Sequence, residues 1–202
     1  MFSIFIKGGP VMWPLLITSF VALTVAFERL LFLVKEHRLR DLDAVSQILT
    51  YVEHGRIDEA ISLGQRTQDF VATILAYGLV HRNDSLSSAL LLAANKSLKR
   101  FSHGISILDT IITLAPLLGL FGTVTGMIRA FGLLGTTGLD AQAAITGGIA
   151  EALIATAFGL LIAMVALLPF NYLNSRVEEA RHEIEDAATY LELLVLRTTK
   201  PL

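Results

Sequence analysis

Three long windows without a charged residue constrain this chain more than anything else in it. Residues 11–27 carry no charge before Glu28, and the apolar run resumes over 30–34; residues 110–128 carry none; residues 152–175 carry none, with an apolar lead-in from Gly147. About 20 residues at 1.5 Å rise cross the hydrocarbon of a bilayer, so each window is long enough for a transmembrane helix. The composition agrees. Hydrophobic residues make up 53% of the chain and charged ones 17%, where soluble domains run to ~25% charged. Mean hydropathy is +0.63. The first window is too long for the h-region of a signal peptide, and no small-x-small cleavage site follows it, so it reads as a span. The expected fold is an all-α membrane protein with three transmembrane helices and long cytoplasmic helical extensions.

Several chemistries are excluded or disfavoured by residue type. The chain has no cysteine, so it has no disulfide, thiol nucleophile or Cys-ligated metal. Its five histidines form no metal-spaced pair, and His182-Glu183 lacks the second histidine of HExxH. No cofactor or metal is expected. A net charge of −2 gives no basic excess for nucleic acid. An intramembrane protease needs a GxSG serine or paired intramembrane aspartates, and the three windows hold neither, so no enzyme is expected.

Lys and Arg counts set the orientation. Nine lie in 35–104 and four from 174 onward, while the connector between the second and third windows has none. The N-terminus and the connector are therefore expected on the outer, periplasmic side of a bacterial inner membrane, and 35–104 and the tail in the cytoplasm. The layout follows: N-terminus 1–10, first span 11–34, cytoplasmic helical domain 35–104, second span 105–133, outer loop 134–146, third span 147–173 and C-terminal helix 174–202. Within 35–104, helices are expected over 41–53, ended by Gly55, and over 57–65 and 70–80. "GRIDEAISLGQ" at 55–65 has the flavour of a helical repeat, but one copy reads as an ordinary hairpin. Asn83-Asp84-Ser85 is an N-cap cluster. With no proline before Pro116, residues 86–134 are expected as one helix of roughly 70 Å. The tail carries a stripe of Val177, Ala180, Ile184, Ala187, Ala188 and Leu191 that needs a partner.

Apolar surface gains nothing by leaving lipid tails, so helices in a membrane associate through small residues. The second window carries Gly119, Gly122, Thr123 and Gly126, and the third Gly148, Ala152, Ala155, Gly159, Ala163 and Ala166, at spacings of three and four. These five glycines are the expected packing positions. Packing within one lone three-helix chain would explain one small face per helix, whereas the first window, rich in Leu, Ile, Phe and Val, has almost none. An inner layer of spans two and three with a lipid-facing span one fits better. The polar residues are few. Glu28 and Arg29 are neighbours, so they point ~100° apart and are expected to snorkel or to pair with another helix. Asp109 reads as a solvated or capping acid, or as part of an ion exit. Arg129 could reach headgroups. Glu151 has no partner within a turn and either lies wet or faces a polar passage. Thr156 lies five residues on, about 7.5 Å deeper and on another face. Thr123 and Thr156 could simply bond their own i−4 carbonyls. No acid lies between Asp109 and Arg129, nor deeper than Glu151. If protons cross here, a carboxylate comes from another chain.

"LAPLLGLFGTVTGMIRAF" at 114–131 and "GGIAEALIATAFGLLIAMVALLPFNYL" at 147–173 resemble the signature spans of the MotA/TolQ/ExbB proton channel family, and "GGPVMWPLLITSFVALTVAFERL" at 8–30 resembles the first span of its ExbB/TolQ members. The likeness covers nearly the whole chain. It implies a homopentameric ring around a central pore that holds the spans of two ExbD- or TolR-like partners, whose aspartate carries the proton. By motif position Thr123 and Thr156 would face that aspartate, and Glu151 matches the family's glutamate at the outer end of the third span. Neutralising the aspartate would ease its passage by apolar side chains, and losing the proton would restore its attraction to the hydroxyls. The work would reach a TonB- or TolA-like periplasmic protein, for outer-membrane transport or envelope maintenance. A non-conducting scaffold for partner proteins is the alternative. The flagellar stator branch, with four spans, fits less well.

Overall fold

A computed structural model describes residues 2–132 and 140–199, with side chains over 5–132 and 145–197. The described elements are all helices: α1 (Phe2–Lys7), α2 (Met12–Arg38), α3 (Leu42–Glu53), α4 (Ile57–Arg66), α5 (Phe70–Val80), α6 (Arg82–Phe101), α7 (Ile105–Gly132) and α8 (Asp140–Thr199). Two compact units result, Met1–Arg29 with Gly104–Tyr172, and Leu30–His103 with Leu173–Leu202. Among the described residues three stretches are long and apolar enough to cross a membrane: Met12–Arg38, Ile105–Gly132 and Ile145–Arg197.

The first unit is organised by the seam between α7 and α8. Its buried positions on α7 are Ile105, Leu108, Ile111, Ala115, Gly119, Gly122, Gly126 and Ala130, and on α8 Ala152, Ala155, Ala163 and Ala166. This is one face of each helix, at the spacing of three and four that turns every buried residue to the same side. The five glycines lie along the seam. A Cβ built on Gly159 would stand 2.5 Å from the Ala115 carbonyl oxygen and 3.0 Å from the Gly119 Cα. One on Gly119 would stand 3.0 Å from the Thr156 Cα, and one on Gly126 3.0 Å from the Gly148 carbonyl oxygen. Gly148 meets Ala130, and Gly122 meets the Ala155 methyl with Val11 beside it. Backbone thus touches backbone, as small residues permit. The opposite faces carry Leu117, Leu120, Phe121, Ile128, Leu153, Leu160 and Leu168, all exposed, which costs nothing in hydrocarbon. From the α2 side, Val11, Met12, Leu15, Ala22 and Ala26 are buried, while Trp13, Ile17, Phe20 and Phe27 are exposed.

In the second unit α3, α4, α5 and α6 pack as successive antiparallel neighbours, with α5 against all three others. Eight of the eleven residues of α5 are buried, and the other three, Thr73, Tyr77 and Val80, form one narrow exposed stripe at spacings of four and three. Ile48, Val52, Ile74, Leu75, Leu79, Leu90, Leu173, Val177, Ile184, Leu191 and Leu194 supply the core. Asp69 anchors this unit. Its Oδ1 accepts the Val71 and Ala72 amides at 2.8 and 2.9 Å, capping α5. Its Oδ2 accepts the Asp41 amide at 2.9 Å and pairs with Arg40. Arg40 also donates to Glu183 on α8 at 2.7 Å and lies over the Phe70 ring.

The structure departs from the sequence reading in several places. The helix expected over 86–134 is broken at 102–104: α6 stops at Phe101 and α7 starts at Ile105. Gly104 takes a φ of +77°, which L side chains rarely adopt, and the Arg29 and Val25 side chains pack on it. The N-cap cluster is used at Ser85, which is extended (φ −166°, ψ 101°) and whose Oγ accepts the Ser88 amide. Helices α3, α4 and α5 fall where periodicity put them. Residues 140–146, expected as loop, belong to α8, which runs on unbroken into the expected C-terminal helix; residues 134–139 of that loop lie outside the described residues. A short α1 precedes the first span, with Phe5 edge-on to Trp13. Arg29 is buried and pairs with its neighbour Glu28, Nε to Oε2 at 2.6 Å, because the long arginine arm spans the ~100° between them.

Three substitutions test these supports. Gly159→Val drives a side chain into the Ala115 carbonyl and destabilises the chain by about 1–3 kcal/mol; unfolding in detergent that matches wild type would contradict the seam. Asp69→Ala takes from Arg40 one of its two carboxylate partners and from α5 its cap, at about 3–5 kcal/mol, while Asp41→Ala removes only the α3 cap, at about 1 kcal/mol. Equal losses in the two variants would contradict the central role of Asp69.

Candidate ion-path site

The polar residues of the first unit gather at two levels. At the Gly132 end of α7, Arg129 meets Glu151 from α8, Nη1 to Oε1 at 2.8 Å. The seam makes this meeting: Gly126 lies against Gly148 and Ala152, and residue 129, one turn on from Gly126, comes beside residue 151, which lies within that same turn of α8. The turn before α2 covers the carboxylate. Gly9 has φ +75°, and a Cβ there would run into Glu151, whose Cδ would stand 2.5 Å away. The Glu151 side chain is 23% exposed and that of Arg129 52%. Glu151 is thus an ion-paired acid held under a glycine turn. The sequence reading missed this partner because it looked within one turn of the same helix, whereas the pair joins residues 22 apart in the chain. One signal was present: Arg129 and Glu151 are the charges nearest the connector on its two sides, apart from Asp140.

About 7.5 Å along α8 from Glu151 lies the second level. The Thr156 hydroxyl donates to the Gly119 carbonyl of α7 at 3.0 Å. Since helical amides bond four residues back, that carbonyl is also the one facing the Thr123 amide, so the seam brings both threonines to a single turn of α7. The Thr123 hydroxyl donates to the Leu120 carbonyl at 2.6 Å. Both side chains are half-buried. The i−4 back-bond considered for these residues is therefore replaced by an i−3 bond at Thr123 and by a bond between helices at Thr156. Glu151 does not join them. Nearer the start of α7, Asp109 is exposed, and its carbonyl accepts the Thr113 hydroxyl. Among the described residues no group of three His, Asp or Glu could hold a metal ion.

Chemically, each threonine has spent its single hydroxyl proton on a backbone carbonyl and has oxygen lone pairs left. It can accept a hydrogen bond from water or from a protonated acid, and its rotatable hydroxyl can donate to a carboxylate in place of the backbone. Between the two levels the seam supplies glycine and alanine, and among the described residues no carboxylate sits beside the threonines.

The family model described as the MotA/TolQ/ExbB proton channel family matches residues 66–186, more than half of the chain. The chain is 40% identical over 204 residues to the ExbB-like 1 biopolymer transport protein of Synechocystis sp., covering 94% of this chain and 77% of that protein. It is 38% identical over 99 residues to the biopolymer transport protein ExbB of Neisseria gonorrhoeae, 49% of this chain and 45% of that one. With the Tol-Pal system protein TolQ of Haemophilus influenzae it shares 39% over 89 residues, 44% of this chain and 39% of that one. The match thus spans less than half the length of these last two relatives.

If the seam positions Thr156, then Gly119→Val, which drives a side chain against the Thr156 Cα, breaks the hydroxyl contact to α7. Cysteines placed at 129 and 151, whose native side chains meet, should be bridged by a short bifunctional thiol reagent in membranes of a chain carrying both, and failure to cross-link would contradict the register.

Proposed function

We propose, because this chain belongs to the MotA/TolQ/ExbB proton channel family as an ExbB/TolQ-like member, that it is the pore-forming subunit of a motor driven by the proton-motive force across a bacterial inner membrane. The family is one of transport-associated channels rather than enzymes, and the chain is a multi-pass membrane protein. In this reading five copies form a ring, and two ExbD- or TolR-like single-span partners place their aspartates in it. The motion they pick up is passed to a TonB- or TolA-like periplasmic protein for outer-membrane transport or envelope maintenance. The N-terminus and the 134–146 region face the periplasm, and the second unit and C-terminus face the cytoplasm, in keeping with nine Lys and Arg in 35–104.

The observation that carries this reading is the two threonines converging on one turn of α7 with no acid of their own beside them. A site with hydroxyl oxygens and no proton carrier is half of a proton path, and a guest carboxylic acid completes it. A protonated guest acid finds acceptor lone pairs on these hydroxyls, and an ionised one finds hydroxyl protons that can turn to it from the Leu120 and Gly119 carbonyls. Each proton crossing 100 mV makes about 2.3 kcal/mol available. Two guests in a five-fold ring cannot both match its symmetry, so no single position is locked.

The test is substitution of the hydroxyls. Thr156→Ala removes one hydrogen bond worth about 0.5–1.5 kcal/mol, too little to dismantle the subunit. Thr156→Ala and Thr123→Val should assemble normally yet lose at least about tenfold in partner-driven uptake, while Thr156→Ser retains it. Full activity in both hydroxyl-free variants would favour the non-conducting scaffold.

A further inference from the structure

We propose that Arg129 is a positioning residue that latches Glu151, so that this acid becomes available to a proton only when the Arg129–Glu151 pair opens. The inference rests on the ion-conducting reading above and adds a control point at the outer mouth of the path.

The two halves of the latch are unlike. Glu151 is the fixed half. It projects from the first turns of α8 beyond Gly148, it is largely enclosed, and the Gly8–Gly9 turn closes over its carboxylate with no room even for a methyl group at Gly9. Arg129 is the mobile half. It sits near the last turn of α7 on a long, flexible side chain that is half exposed. A guanidinium does not give up its proton near neutral pH, so this pair cannot be opened by titrating the arginine. It opens when Arg129 swings away, which movement of α7 against α8 or of the Gly8–Gly9 turn can bring about. While closed, one carboxylate oxygen is occupied at 2.8 Å, and the charges cancel toward the passage, so the mouth offers no net attraction to a cation. Once open, it presents a lone acid about 7.5 Å along α8 from the threonine turn. An enclosed, unpaired carboxylate is costly, which favours reclosing and limits how long the acid stays available.

Carbodiimide labelling reads the latch directly. The carboxyl oxygen adds to the carbodiimide carbon as the carboxyl proton passes to its nitrogen, so an ion-paired carboxylate reacts slowly. The full-length chain, co-assembled with its single-span partner in native membranes, is treated with dicyclohexylcarbodiimide, and adduct on the Glu151 peptide is followed by mass spectrometry. Arg129→Gln should label about tenfold faster than wild type, and Arg129→Lys, which keeps a cation in reach, at close to the wild-type rate. The melting temperature of the assembly is measured alongside, since a merely structural bridge would move stability and not the contrast between Gln and Lys. Equal labelling of wild type and Arg129→Gln would overturn the latch, as would Arg129→Lys labelling as fast as Arg129→Gln. Labelling needs no ion gradient, so these outcomes are separate from whether the wild-type complex drives uptake, which bears on the proposed function alone.

Discussion

Contact between the α7 and α8 backbones is the constraint on which the rest of the first unit depends. In a bilayer the hydrophobic effect does not press one apolar helix against another, so a helix pair must be held by close packing and by polar contacts. At Gly159 and Gly119 there is no space for a side chain, and the neighbouring atoms are main-chain atoms that cannot turn aside. This register sets everything polar nearby. It carries the Thr156 hydroxyl to the Gly119 carbonyl, and a few turns away it carries Arg129 to Glu151. A slip by one residue would rotate each helix by about 100° and separate both pairs. The glycines and the polar side chains are therefore one arrangement: the first fix the distances at which the second meet.

The two units use opposite solvents to the same end. In the first, large apolar side chains point outward and small ones inward, and the polar groups bond to backbone or to one another. In the second, large apolar side chains form a core around α5, and a buried carboxylate, Asp69, ties together a helix cap, the turn after α2 and an arginine that also reaches α8. A buried charge of this kind is tolerable because nearly every lone pair is occupied.

Much of this was legible in the sequence, for physical reasons that differ from place to place. The spans follow from length and the absence of charge. Helices α3 to α5 follow from periodicity, and Gly55 lies where a helix end belongs. The glycine spacing pointed to a packed face before its partner was known. The break at Gly104 was not legible, because a lone glycine in a helical pattern is usually tolerated and only its positive φ reveals the turn. The helix over 140–146 was missed because polar and small residues near a connector read equally well as loop. The Arg129–Glu151 pair needed the antiparallel register of two helices, a tertiary fact. The bond from the Thr156 hydroxyl to the Gly119 carbonyl needed it too.

The central claim is that this chain supplies a seam studded with hydroxyls, and that the proton carrier is borrowed. Proton flux into liposomes under an imposed potential tests it most directly, comparing the purified subunit alone with the subunit co-assembled with a single-span partner that bears an intramembrane aspartate. The account predicts tight liposomes for the subunit alone and conduction only with the partner present. Conduction by the subunit alone at the rate of the full complex would contradict it.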